Sequence, residues 1–300
     1  KETKIEWINV DLPPELKAIQ TCLKIALNER YTQLIKNGLR LSSENKSLSA
    51  LLRQRQYVLT QNRHSAKSLF TAIRITYALN ILEAHGITSF LKFCERTQKK
   101  TGAGIKELFK VDPNFTRAIH LATAAQSKGI EHSKITKLQE ILLSVTDKVL
   151  IFTSYRDSVN VINARLNDIG IKSEILIGKA GEHGLKQKKQ IETVQRFRDG
   201  ITKTLVATRV GEEGLDISEV NLVIFYDNVP SSIRFIQRKG RTGRKSAGRL
   251  VILIANDTID EVYYWIGKRK ITAAKLMGEK LSKKLASGEI IPTESLDSFL

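Results

Sequence analysis

The 300-residue sequence predicts an α/β fold, a parallel sheet with helices on both faces, together with an all-α inserted domain. Three observations carry that reading. A stretch from about 14 to 127 shows helical periodicity almost throughout. Beyond it, short β-branched apolar runs alternate with helical segments. A strand-like pattern also precedes the first helix.

The elements follow in order. Ile5, Trp7, Ile8 and Val10 alternate with polar neighbours, which predicts a short opening strand. Pro13 and Pro14 end it, and Pro14 suits the first turn of a helix. Leu16, Ile19, Leu23, Ala26, Leu27, Tyr31 and Leu34 then recur at helical spacing until Asn37-Gly38. Further helices are expected over 48–59, 66–84, 89–95 and 114–125. Ser133 is placed to cap one that runs to about Leu143. The run VLIF at 149–152 reads as a buried parallel strand. Helix 157–168, strand 174–177, helix 186–198 and strands 203–207 and 221–226 continue the alternation. Helix 230–239, strand 249–254 and a terminal helix from Ile259 past Lys284 complete it. Strands spaced by helices imply crossover connections and a parallel sheet. If the opening strand joins that sheet, residues 14–127 are an insertion, and 1–13 belong with 128–300.

Composition narrows the function classes. Hydrophobic residues form 41% of the chain, and no run approaches the roughly 18 apolar residues of a membrane span. No secretory leader is visible, and Cys22 and Cys94 fall in apolar helical patterns that suit reduced core thiols. These features predict a cytoplasmic protein with no membrane association. The net charge is +18, which points to a polyanionic partner, because Lys and Arg that neutralise phosphates release condensed counterions. Residues 1–127 carry 20 basic and 10 acidic side chains and the rest 29 and 21, so both parts can touch phosphate. Aromatics are only 6%, which predicts a minor part for stacking. His64, His85, His120, His132 and His183 show no metal-ligand spacing with the cysteines, so no protein-held metal is expected. The chain opens on Lys1 rather than Met, which suggests a piece of a longer protein.

The chemistry concentrates in two motifs. In QRKGRTGR, Gln237 to Arg244, Gly240 and Gly243 permit tight turns, and Arg241 and Arg244 are three residues apart. Guanidinium groups keep their charge and fork onto phosphate oxygens, which suits a transferring phosphoryl group. In TLVATRVGEEGLDI, Thr204 to Ile217, a buried strand delivers Thr208 and Arg209 to its carboxyl end, where open α/β sheets bind ligands. Gly211 and Gly214 allow close approach, and Asp216 offers a carboxylate to a ribose hydroxyl. Either motif alone is compatible with an ordinary loop. Their order and spacing are hard to explain otherwise.

These stretches resemble motifs V and VI of superfamily 2 helicases, and VLIFTSY, Val149 to Tyr155, resembles motif IV. The segment from Gly211 to Arg244 is similar to the archaeal Hef helicases and their FANCM relatives, which also carry a thumb-like helical insertion. The resemblance implies a second RecA-like lobe, with ATP and magnesium as cofactors and the metal held mainly by a first lobe. It implies Arg244 as arginine finger, Arg241 as a second γ-phosphate contact and Gln237 as a coupling contact. Gly214 and Asp216 would border the ribose. Ser154, Gly178, Lys179, Thr208 and Arg209 would contact the nucleic-acid backbone.

The partners implied are forked or branched DNA and a first RecA-like lobe of the same protein. A nuclease domain or a protein partner outside the chain is a further option. No G-x-x-x-x-G-K-S/T phosphate loop occurs, and Asp260-Glu261 sits in a helical pattern rather than at a strand end. The chain alone is therefore expected to be inactive. In the helical block no acidic residue lies between Lys46 and Arg74, so Arg53, Arg55, Arg63 and Lys67 are candidates for phosphate contact. Two other readings remain open. One is an RNA-directed relative of the Dicer and innate-sensor type, and the other is a basic DNA-binding scaffold without ATPase function.

Overall fold

A computed structural model describes residues 4–42, 47–102, 104–178, 187–208, 220–227 and 249–286. Six strands form one parallel sheet: β1 (Lys4–Val10), β2 (Val149–Phe152), β3 (Ser173–Leu176), β4 (Thr204–Ala207), β5 (Leu222–Phe225) and β6 (Arg249–Ala255). Their spatial order is β1-β6-β5-β2-β4-β3. The opening strand pairs with β6 along its whole length, from Lys4 opposite Arg249 to Val10 opposite Ala255. Arg249 adds an ion pair to Glu6 at 2.7 Å, which holds that carboxyl below its ordinary range. The helical block therefore leaves and re-enters a single sheet.

Alternation along the strands divides the sheet's two faces. Val149, Ile151, Val206, Ile224, Val251 and Leu253 point to one face, covered by α8 (Ser133–Leu143) and α9 (Arg156–Asp168). Leu150, Phe152, Leu205, Val223, Ile252 and Ile254 point to the other, where Phe197 of α10 (Gln187–Arg198) and Tyr264 of α11 (Ile259–Ala286) pack. Both faces are buried, which is why these strands read as continuous apolar runs.

The helical block has its own core, built on α1 (Pro14–Lys36), α4 (Ala66–His85) and α7 (Pro113–Ser127). Between them lie α2 (Leu48–Arg53), α3 (Arg55–Thr60), α5 (Ile87–Gln98) and α6 (Ile105–Lys110). Several details differ from the sequence reading. The helix expected over 48–59 is two, broken at Gln54, whose amide side chain donates to the Arg40 carbonyl. The helix expected at Ser89 starts at Ile87, because Gly86 takes φ +83 and turns α4 directly into α5. Asp112 caps α7 by accepting from Phe115 N–H, so that helix starts at Pro113 rather than Asn114. Helix α6 has only six residues, too few to show a period. Both cysteines are free and buried.

The two units meet through buried polar contacts. Ser133 does not cap α8; the Nδ1 of His132 does, accepting from Lys134 N–H at 3.1 Å. The other ring nitrogen must then carry the proton and donate to the Glu83 carbonyl at 2.8 Å. Burial, reinforced by the Lys134 ammonium, lowers the His132 pKa to about 3, so the ring stays neutral. Lys134 is itself inaccessible; it pairs with Asp260 and lies over the Tyr226 ring. Glu83 accepts from Gln20 of α1 and from the backbone N–H of Ile259, the first residue of α11. Burial raises its pKa, and these donors oppose the rise.

Removing one partner of a buried ion pair strands the other charge, which typically costs about 3–5 kcal/mol. Lys134→Met is expected to destabilise the chain by that amount in urea unfolding, and Lys134→Met with Asp260→Leu by clearly less. Equal losses in both variants would contradict the pairing.

Candidate nucleic-acid interface

The four neighbouring strands β5, β2, β4 and β3 end in register. Phe152 lies opposite both Phe225 and Ala207, and Leu176 lies opposite Ala207. The ladder continues one residue further, through Thr153 N–H to the Ala207 carbonyl, Thr208 N–H to Leu176 and Tyr226 N–H to Phe152. Thr153-Ser154, Thr208, Gly178 and Asp227 therefore form one row along the carboxyl edge. Successive strands fall on opposite sides of β2 here, and open parallel sheets place their ligands at such a switch point.

Ser154 is fixed in this row. Its backbone N–H donates to both oxygens of Asp227, at 2.9 and 3.1 Å, and its hydroxyl donates to Oδ2 of the same carboxylate. Gly178 is held by Arg156, whose guanidinium donates to its carbonyl at 3.1 Å. The hydroxyls of Thr153 and Thr208 are buried and have no partner among the described residues. An unsatisfied buried hydroxyl costs about 1–3 kcal/mol, so such groups mark positions where a ligand can complete the bonding.

The helical block reaches this row through α5 and the end of α4. Arg96 of α5 donates to the Tyr155 hydroxyl and to Asp157, both at 2.6 Å. The Tyr155 ring stacks on His85 at 5.2 Å. Burial raises the Tyr155 hydroxyl to about 12 and lowers His85 to about 4, so both stay neutral. The residue next to Ser154 is thus clamped by the inserted helices.

Comparison with known proteins agrees with this arrangement. Residues 133–246 match the family described as helicase conserved C-terminal domain. A Methanocaldococcus jannaschii protein named as an ATP-dependent RNA helicase is 33% identical over 275 residues, covering 88% of this chain and 35% of its own length. The ATP-dependent DNA helicase MPH1 of Pyricularia oryzae is 36% identical over 218 residues, covering 65% and 20% respectively. The crystal structure of the Pyrococcus furiosus Hef helicase domain superposes with a TM-score of 0.76 at 33% identity. That match covers 88% of this chain and 58% of the Hef chain. The chain carries a helicase C-terminal domain and is similar to superfamily 2 helicases of the Hef and FANCM type. It spans about a third or less of the length of the relatives matched by sequence.

The predicted site residues fall into three groups. Ser154, Gly178 and Thr208 share the strand-end row. Gln237, Arg241, Arg244, Gly214, Asp216, Lys179 and Arg209 lie outside the described residues, as does the expected helix over 230–239. Arg53, Arg55, Arg63 and Lys67 gather elsewhere, on α2, α3, a 3-10 turn (Arg63–Ser65) and the start of α4. Helix α4 separates them from the row: Lys67 and His85 are 18 residues apart, about 27 Å at 1.5 Å per residue. Arg53, Arg55 and Arg63 are exposed, with Arg55 over the Phe70 ring and Arg63 donating to the Leu59 carbonyl. Lys67 is paired with Glu107, which also binds Arg30 at 3.2 Å, so its charge is partly neutralised.

Sequence reasoning missed Asp227, Arg156, Tyr155 and Arg96. Asp227 had a usable signal, a carboxylate two residues beyond a buried strand, level with the other strand ends. Arg96 had none, since its partners are about 60 residues away. No group of three or more His, Cys, Asp or Glu residues suited to a metal ion occurs among the described residues. No described helix is long and apolar enough to cross a membrane.

Asp227→Ala would leave the Ser154 N–H without its acceptor. Amide hydrogen exchange at Ser154 and Tyr155 is expected to speed up by roughly 5- to 150-fold, equivalent to about 1–3 kcal/mol. Unchanged protection would show that Asp227 does not hold the loop.

Proposed function

We propose that the chain is the second motor lobe of an ATP-dependent DNA helicase or translocase that acts on forked or branched DNA in repair. In this reading residues 1–13 and 128–300 form the lobe, and 14–127 form a thumb-like insertion that grips duplex beside the junction. The observation that carries the reading is the strand-end row, where Ser154, Gly178 and Thr208 stand level on the sheet's carboxyl edge. Hydroxyls and backbone groups in a row track a phosphodiester strand without reading its bases. The match to the Hef helicase domain supports the same placement.

ATP and magnesium fit the donor chemistry only in part. Gln237, Arg241 and Arg244 supply N–H donors suited to a triphosphate, and nothing among them suits the metal. Bound between two lobes, ATP would supply the phosphoanhydride whose hydrolysis drives movement. Arg244 would serve as the finger on the γ-phosphate, Arg241 as its neighbour, and Asp216 and Gly214 would border the ribose. The first lobe would bring the phosphate loop that this sequence lacks, and with it the magnesium. Closing and opening of the cleft would shift Ser154, Gly178, Lys179, Thr208 and Arg209 along the strand. A nuclease domain or protein partner outside the chain, and a cytoplasmic, nucleoid-associated location, complete the proposal.

An RNA-directed motor is the second reading, favoured by the name carried by the M. jannaschii relative. Competition between DNA and RNA forks separates the two.

The 300-residue chain alone is expected to hydrolyse ATP negligibly. In the intact protein, Arg244→Ala should lower fork-stimulated turnover by about 10³- to 10⁵-fold. Robust turnover by the isolated chain, or no effect of Arg244→Ala, would overturn the assignment, and the latter would favour a DNA-binding scaffold.

A further inference from the structure

The inserted domain holds a groove midway along α4, between the Arg53–Lys67 cluster and the strand-end row. Phe70, Ile73, Arg74 and Tyr77 line it from α4, with Phe93 and Thr97 from α5 and Lys100 just beyond that helix's end. The α4 residues recur at i, i+3, i+4 and i+7, so all four lie on one helix face. The groove's volume is about 340 Å³, at the small end of ligand pockets, which run from about 300 to 1,000 Å³. Tyr77 is 41% exposed although it lies on a well-packed helix, and Ile73 is buried beneath. Aromatics are sparse in this sequence, yet three of them meet here beside two cations.

The charge pattern selects the occupant. Arg74 and Lys100 flank the aromatic rings, and no carboxylate among the described residues lines the groove. The Arg74 guanidinium lies against Gly102, close enough that a β-carbon there would meet it at 3.3 Å. An apolar floor with a cationic rim suits a flat, uncharged ring tethered to an anion. Arg96, on the same helix as Phe93, clamps Tyr155 next to Ser154. One helix therefore carries both a wall of the groove and the clamp on the strand-end row.

We propose that the α4–α5 groove binds an unpaired base of a nucleic-acid strand, stacked on Tyr77 and Phe93, with the flanking phosphates on Arg74 and Lys100. The inference rests on the reading of the strand-end row as a nucleic-acid track and adds a base-holding site to it. A strand leaving that row would be caught at its first unpaired base, which makes the insertion a sensor of single-stranded character at a branch. Stacking on aromatic rings tolerates any base, so the site carries no sequence preference.

The test uses the 300-residue chain and a fork whose single-stranded arm carries one 2-aminopurine near the junction. Stacking on Tyr77 is expected to quench its emission. Tyr77→Ala should abolish the quench and weaken binding of the single-stranded arm about 10-fold, as expected for one lost base stack. Tyr77→Phe should restore both. Affinity for blunt duplex and its salt dependence should not change in Tyr77→Ala, whereas Lys100→Ala should lower the salt slope by about one. A ribonucleotide version of the arm separates DNA from RNA as the source of the base.

A wild-type quench that survives Tyr77→Ala, or an equal loss on duplex and single strand, would overturn the proposal while leaving the nucleic-acid reading intact. Absence of any 2-aminopurine quench in the wild type would show that no base stacks in the groove and would also overturn it. Failure of the wild-type chain to bind any fork would instead remove the nucleic-acid track on which the inference rests.

Discussion

Glu83 carries a carboxyl group almost wholly out of water, at the place where four segments of the chain converge. It lies on α4, accepts from Gln20 of α1 at 2.7 Å and from the first amide of α11 at 2.8 Å. Gln20 also donates to the Asp257 carbonyl, in the turn that follows β6. Asn256 of the same turn donates to the Val10 carbonyl and to Asp11, where the chain leaves β1 for the helices. A buried carboxyl is tolerated only when its acceptors are filled. Here the donors come from the inserted block and from the sheet's own terminal helix, so filling them requires both units at once. The positive end of the α11 dipole adds to the fit.

That constraint explains how the inserted domain and the strand-end row are held together. Asp227 fixes Ser154, and the helical block fixes its neighbour Tyr155 through His85 and Arg96. His85 ends α4 two residues after Glu83, and Gly86 starts α5 in the same turn. The site therefore inherits its geometry from the seam. A change in the position of the sheet carries the block and its groove with it.

The architecture was largely visible in the sequence because its signals are local. VLIF at 149–152 and LVIF at 222–225 are short buried runs, and their register within a parallel sheet follows from sharing both faces. The pattern of Ile5, Trp7, Ile8 and Val10 was enough to expect β1, but not to say which strand it joins, since Lys4 and Arg249 are 245 residues apart. In the site, Thr208 could be named from its place after a strand, and Ser154 from the resemblance of its stretch to a helicase motif. Asp227, Arg96 and His132 act through partners distant in sequence, so no period or spacing exposes them. Lys67 shows the opposite failure: a basic residue in a run free of acids is nevertheless paired, because Glu107 arrives from α6.

The central claim is that the inserted helices and the sheet form one cooperative unit clamped at Glu83. Native-state hydrogen exchange of the 300-residue chain across a urea series tests it most directly, with amides of α4 and β6 followed together. The claim predicts that the most protected amides in both elements open with the same free energy and the same urea dependence, and that Glu83→Ala separates them. Opening of α4 at clearly lower urea than β6 in the unaltered chain would contradict it.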